Sequence, residues 1–194
     1  MLHSFKDTLL DLEAAFNNQE IFNCSFFETL GHCFNLETLD VAGSNAITDD
    51  GGRSIIAAQI TVGSETVKPG LQYLHTLKLS GAALGDASLP NMTKAMPNLE
   101  HVELIRCESV GEFGINSFIS NCPKLAFLDI AKVPIATNNY GFLDELKISN
   151  PDLLIRRNIH QDIDFKKDNG LRVPRRIVGK KKSKKKKKGG KKKK

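Results

Sequence analysis

The side chains with chemistry to offer are four cysteines, the histidines and a surplus of carboxylates in the first 164 residues, and their spacing decides what they can do. Cys24, Cys33, Cys107 and Cys122 are too far apart to make the C-x-x-C pairs of a zinc site. His32, His75, His101 and His160 have no histidine three or four residues away to share a helix face. No H-E-x-x-H, G-x-S-x-G or nucleotide fingerprint occurs. The nearest approach to a phosphate loop lies in residues 61–70, where Pro69 follows Lys68 and blocks the helix such a loop must open. Carboxylate pairs occur only as surface neighbours. The expectation is a non-enzyme with no catalytic residues, no metal site and no cofactor, whose cysteines are buried thiols of a reducing compartment.

Charge is the second chemical resource, and it is unevenly placed. Residues 165–194 hold 17 of the 28 Lys and Arg against one of the 22 acids, Asp168. The first 164 residues therefore keep 11 bases against 21 acids, and the pI of 9.1 describes neither part. Lys180, Lys181, Lys182, Lys184, Lys185, Lys186, Lys187, Lys188, Lys191, Lys192, Lys193 and Lys194 are interrupted only by Ser183, Gly189 and Gly190. Such a run repels itself and buries nothing, so a disordered tail is expected over 180–194. Without aromatic residues it cannot stack on bases or read them. Its chemistry is nonspecific attraction to nucleic acid or another polyanion, driven by counterion release. Residues 159–179 still contain Phe165, Leu171, Val173, Ile177 and Val178, and read as a C-terminal cap and linker. No apolar run reaches the ~18 residues that suggest a membrane span, and the first residues lack a signal-like apolar core. The cytosol or the nucleus is the expected location.

The elements that position these groups follow from a repeat. The phase L-x-x-[LV]-x-[LIV] occurs as Leu36-Leu39-Val41, Leu74-Leu77-Leu79, Leu99-Val102-Leu104, Leu125-Leu128-Ile130 and, shortened, Leu153-Ile155. The starts at 36, 74, 99, 125 and 153 are separated by 38, 25, 26 and 28 residues. On a strand, offsets 3 and 5 share one face, so each set reads as a short strand with its aliphatics turned inward. Copies at this period stack into a parallel sheet with a shared core, an α/β solenoid with helices on the outer face. Strands are predicted at 38–41, 76–79, 101–104, 127–130 and 153–155, and helices near 51–60, 114–121 and 141–148. The dozen extra residues near 59–70 read as an inserted loop. Leu9, Leu12 and Ala14 fit a degenerate capping repeat within 1–33, giving a repeat domain over 1–158.

Leu99, Val102, Leu104, Cys107 and Val110, followed by Gly114-Ile115 and Asn121-Cys122-Pro123, resemble the cysteine-containing leucine-rich repeat of F-box substrate receptors and the ribonuclease-inhibitor-like group. Ile47-Thr48-Asp49-Asp50-Gly51 matches that family's turn, and Asp49 or Asp50 is placed to cap the helix that follows. The resemblance covers residues 30–157 and implies a protein-binding solenoid. It would imply ubiquitin-ligase work only with an F-box, which is not visible; a substrate-recognition component lacking its own F-box is one alternative.

If offsets 3 and 5 face inward, offsets 2 and 4 face outward on the concave side. They form two rows, Thr38, Thr76, His101, Phe127 and Asp40, Lys78, Glu103, Asp129. Two readings fit these rows. One is a solvated face with a local ion-pair ladder; the other is a recognition surface for a basic or amphipathic protein, with Phe127 and His101 as anchors. The function expected is a monomeric protein–protein interaction module localised by its lysine tail. The alternative is a ribosome-associated, nucleolar or chromatin factor acting mainly through the tail.

Overall fold

A computed structural model describes residues 8–15, 24–44, 47–57, 61–62, 65–66 and 71–157. The expected cap and linker (159–179), the lysine run (180–194) and His160 lie outside the described residues, as does the Cys24 side chain.

In chain order the elements are β1 (Asp11–Glu13), α1 (Cys24–Leu30), β2 (Thr38–Asp40), α2 (Asp49–Ala57), β3 (Thr61–Val62), β4 (Glu65–Thr66), β5 (Thr76–Lys78), α3 (Leu89–Lys94), β6 (His101–Glu103), α4 (Glu112–Asn121), β7 (Phe127–Asp129), α5 (Pro134–Asn138), α6 (Tyr140–Ser149) and β8 (Leu154–Arg156). Six strands form one sheet, ordered β1-β2-β5-β6-β7-β8, and every neighbouring pair is parallel. Parallel neighbours need a crossover between them. Here every crossover carries a helix, which is the predicted α/β solenoid.

The register is the one the leucine phase predicts. Leu12, Leu39, Leu77, Val102, Leu128 and Ile155 lie opposite one another across the sheet. Leu39, Leu77, Val102 and Leu128 are completely buried or nearly so, as are Val41, Leu79, Leu104 and Ile130 two residues on. Phe27, Ile55, Met92, Phe118 and Leu143 join them from the helices in one continuous core. Full burial of each large side chain contributes roughly 1.5–3 kcal/mol of transfer free energy, so the repeats hold one another together.

Strands β2, β5, β6 and β7 end in the same turn, which tilts the backbone into the left-handed region at Gly43 (φ 82°), Gly81 (φ 79°), Arg106 (φ 61°) and Lys132 (φ 64°). The Gly43, Gly81 and Arg106 N–H groups donate to the Ser80, Ile105 and Ala131 carbonyls of the following repeat. Two of these four positions carry side chains that disfavour the conformation. At Arg106 the inter-repeat hydrogen bond holds it against that preference.

Four local expectations are corrected. Asp49 does not cap its own helix: its Oδ1 accepts from the Gly85 N–H (2.9 Å) and the Ser88 hydroxyl (2.5 Å) of the next repeat. Asp50 instead pairs with Arg53 on the surface. Asp86 repeats the Asp49 arrangement one unit on, accepting from the N–H groups of Gly111 (2.8 Å) and Gly114 (2.9 Å) at the start of α4. Close approach is the reason glycine stands there, since a Cβ on either residue would come within 2.6 Å of the Asp86 carboxylate. The inserted segment is not entirely loop: β3 and β4 pair antiparallel, Thr61 with Thr66 and Val62 with Glu65, because a two-residue connection suits a hairpin. The short helix α3 was not anticipated from its sequence, LPNMTK. Pro90 is tolerated in its first turn, and burial of Leu89, Met92 and Thr93 holds it.

The fourth correction is a shift of one residue. Leu153 takes the place of a first leucine, its N–H bonding the Asn150 carbonyl as that of Leu125 bonds Cys122. Yet Leu154, not residue 155, pairs with Phe127. This repeat is one residue short between its first leucine and its strand. Because side chains alternate with period two, that single residue decides which ones face inward.

Candidate partner-binding face

Two rows of side chains stand on the sheet face opposite the buried leucines. The backbone register sets them as Asp11, Thr38, Thr76, His101, Phe127, Leu154 and as Glu13, Asp40, Lys78, Glu103, Asp129, Arg156. All eight residues expected on this face are there, brought into line from strands up to about ninety residues apart in sequence. Adjacent strands lie about 4.8 Å apart, so neighbours within a row interact directly.

The second row is an ionic ladder. Lys78 Nζ stands 3.5 Å from Asp40 Oδ2 and 3.8 Å from Glu103 Oε1. His101 Nε2 is 2.9 Å from the same Glu103 oxygen. Burial opposes ionisation of Glu103. The His101 hydrogen bond and the cations Lys78 and Arg156 outweigh it, so the carboxyl titrates below its ordinary range. At the far end Arg156 pairs with Asp129. That hydrogen bond, against the cost of partial burial, raises the Arg156 pKa further. Asp40 and Asp129 also use Oδ1 to accept the N–H two residues on, at Ala42 and Ala131, each at 3.1 Å. The carboxylates thus fix the turn after the strand as well as the charge on its face.

Two expected roles fail on burial. Phe127 is only 4% exposed, so it is not a protruding anchor. Its ring lies tilted on that of His101, centroids 4.5 Å apart, and His101 is itself 8% exposed. Asp129 is fully buried and committed to Arg156 and the Ala131 N–H. Thr76 is buried too. Thr38, Asp40, Lys78 and Glu103 are half-buried, and Asp11 and Glu13 are exposed. The accessible charge on the face therefore gathers toward β1 and β2.

Three residues of the rows went unnoticed in the sequence. Asp11 and Glu13 sit at offsets 2 and 4 from Leu9, so the signal for them was present in the degenerate first repeat. Arg156 was hidden by the one-residue shortening, since strict counting from Leu153 turns it inward.

The cysteines offer structure. Cys107 Sγ donates to the Leu79 carbonyl (3.2 Å) and Cys122 Sγ to that of Met96 (3.4 Å), each in the preceding repeat. Burial pushes the Cys107 thiol up to about 11 and the Cys122 thiol up to about 12. Cys33, Cys107 and Cys122 are all buried, and no disulfide joins any two of them. Among the described residues no group of three or more His, Cys, Asp or Glu is arranged to hold a metal ion. None of the described helices is long and apolar enough to cross a membrane.

A family model described as leucine-rich repeat matches residues 32–55, the stretch that carries β2 and α2. No curated protein matches the chain.

Proposed function

We propose, from the leucine-rich repeat match at residues 32–55 and the parallel sheet of stacked repeats, that this chain is a leucine-rich repeat protein and a non-catalytic adaptor that recognises a protein through the sheet face while its lysine tail localises it. Leucine-rich repeats support protein–protein interaction generally, because a solenoid presents a long surface of laterally aligned side chains. The observation that carries the finer reading is the gradient of exposure along the rows. At β1 and β2 the carboxylates Asp11 and Glu13 face solvent with Asp40 half-exposed beside them. At β7 the equivalent residues are buried and internally paired. A basic or amphipathic segment laid along β1 and β2 would meet the exposed carboxylates Asp11 and Glu13. Electrostatic complementarity of this kind governs partner choice and association rate more than final affinity.

The twelve lysines of residues 180–194 support a second activity, attachment to a polyanion. Together the two parts suit a factor of the cytosol or nucleus that is held on a polyanionic structure and presents its repeats to a protein. The test is quantitative cross-linking in cells with the full chain, with Asp11→Lys/Glu13→Lys, and with residues 1–164. The reading expects a protein partner that is lost on charge reversal and retained on truncation. Loss of every partner with the tail, and none with the charge reversal, would transfer the function to the tail.

A further inference from the structure

Helices α1 to α4 pack side by side in chain order, whereas α4 and α6 stand apart across a groove. Two hollows of about 330 and 380 Å³ lie along it and share Ile119, Ser149 and Asn150 in their walls. The apolar part comes from Ile119, Leu125, Phe142, Leu146 and Leu153, several of them only partly covered by the core. The charged side chains in the walls are all carboxylates: Glu112, Glu145 and Asp152. The nearby cation Lys147 does not line the groove, its ammonium being bonded to the Pro151 and Leu153 carbonyls.

We propose that this groove is a second docking site, on the helix side of the solenoid, for an amphipathic basic segment of a partner protein. The apolar floor takes one stripe of the segment and the acidic walls take its flanking Lys or Arg. This is the helix-in-groove mode of recognition. A ten-residue helix such as α4 is about 15 Å long, which fits about three turns of a partner helix lying along it. A polyanion is the wrong sign for these walls. The site does not depend on the sheet face and could be present if that reading failed.

The test uses the full chain and two fluorescein-labelled helical peptides about 14 residues long. One has leucines on one stripe and lysines elsewhere; the other carries glutamate at every lysine position. The Leu/Lys peptide is expected to bind saturably and the Leu/Glu peptide not to bind. Ser149→Arg obstructs both hollows from an exposed position, and Glu145→Lys reverses one wall. Each should weaken binding about tenfold or more by placing like charge opposite the peptide, with melting curves unchanged. Glu28→Lys, exposed on α1 and outside both the groove and the sheet face, should leave the affinity within about twofold, as distant sites act independently. Binding of the Leu/Glu peptide, failure of the Leu/Lys peptide to bind, or Leu/Lys binding that survives both groove substitutions would each overturn the proposal.

Discussion

Glu103 is bonded by His101 and flanked by Lys78 on a face that is otherwise half closed, and its chemistry is that of a support. Its pKa in the folded protein lies below the ordinary 4.5. The charged form therefore stabilises the fold above that value, and the contribution disappears as pH falls through the folded pKa. Glu103→Gln should flatten the loss of stability between about pH 5 and pH 3, measured as urea midpoints across that range; parallel profiles for the two proteins would contradict it. The thiols are governed by burial instead. With Cys107 at about 11 and Cys122 at about 12, almost no thiolate exists at neutral pH. Native protein titrated with a chromogenic disulfide should show at most one fast thiol, that of Cys24, and the rest only on unfolding. Two or more fast thiols would mean that the core is more open than its geometry shows.

At the scale of the element, strands and helices are joined by two kinds of inter-repeat contact that differ in cost. Leu128 is the fifth of six in the buried row, flanked on both sides by Val102 and Ile155. Leu128→Ala should cost roughly 2–5 kcal/mol, because neighbouring repeats share the cavity it leaves. Ile155→Ala, on the last strand and only partly buried, should cost clearly less. The other contact is the carboxylate bridge from Asp86 to the first N–H groups of α4, where Gly111 offers no cap of its own. Asp86→Ala should cost about 1–3 kcal/mol by leaving those donors without an acceptor, and Asp86→Asn should recover most of it because an amide oxygen still accepts. Equal destabilisation by the two substitutions would place the effect in charge, outside the hydrogen bonds.

For the whole molecule the governing fact is the separation of charge, with 12 lysines in the last 15 residues and an excess of acids in the first 164. Deleting residues 180–194 removes those charges and no apolar side chain. The melting temperature should scarcely move, while affinity for a heparin or RNA probe should collapse. In the full chain that affinity should fall steeply with salt, each neutralised phosphate of an RNA probe contributing a log–log slope of roughly −0.7 for a single strand. Polyanion affinity that survives the deletion would mean that the repeats themselves present a basic surface.

The leucine phase alone was enough to place β2, β5, β6 and β7, their parallel order and the eight outward residues they carry, since inward and outward positions alternate with period two along any strand and recur with each repeat. The acidic body and the lysine run were equally legible, being matters of composition. What the tertiary structure decided were contacts between repeats. Phe127 reads as outward by its offset, and its burial against His101 comes from a strand 26 residues away. Asp49 reads as a cap for its own helix, and its partners lie 36 and 39 residues on. Arg156 reaches Asp129 because one residue is missing before β8, and a period-two pattern changes face at every such slip. Local periodicity sets the direction in which a side chain starts; what it meets depends on the neighbouring turn of the solenoid.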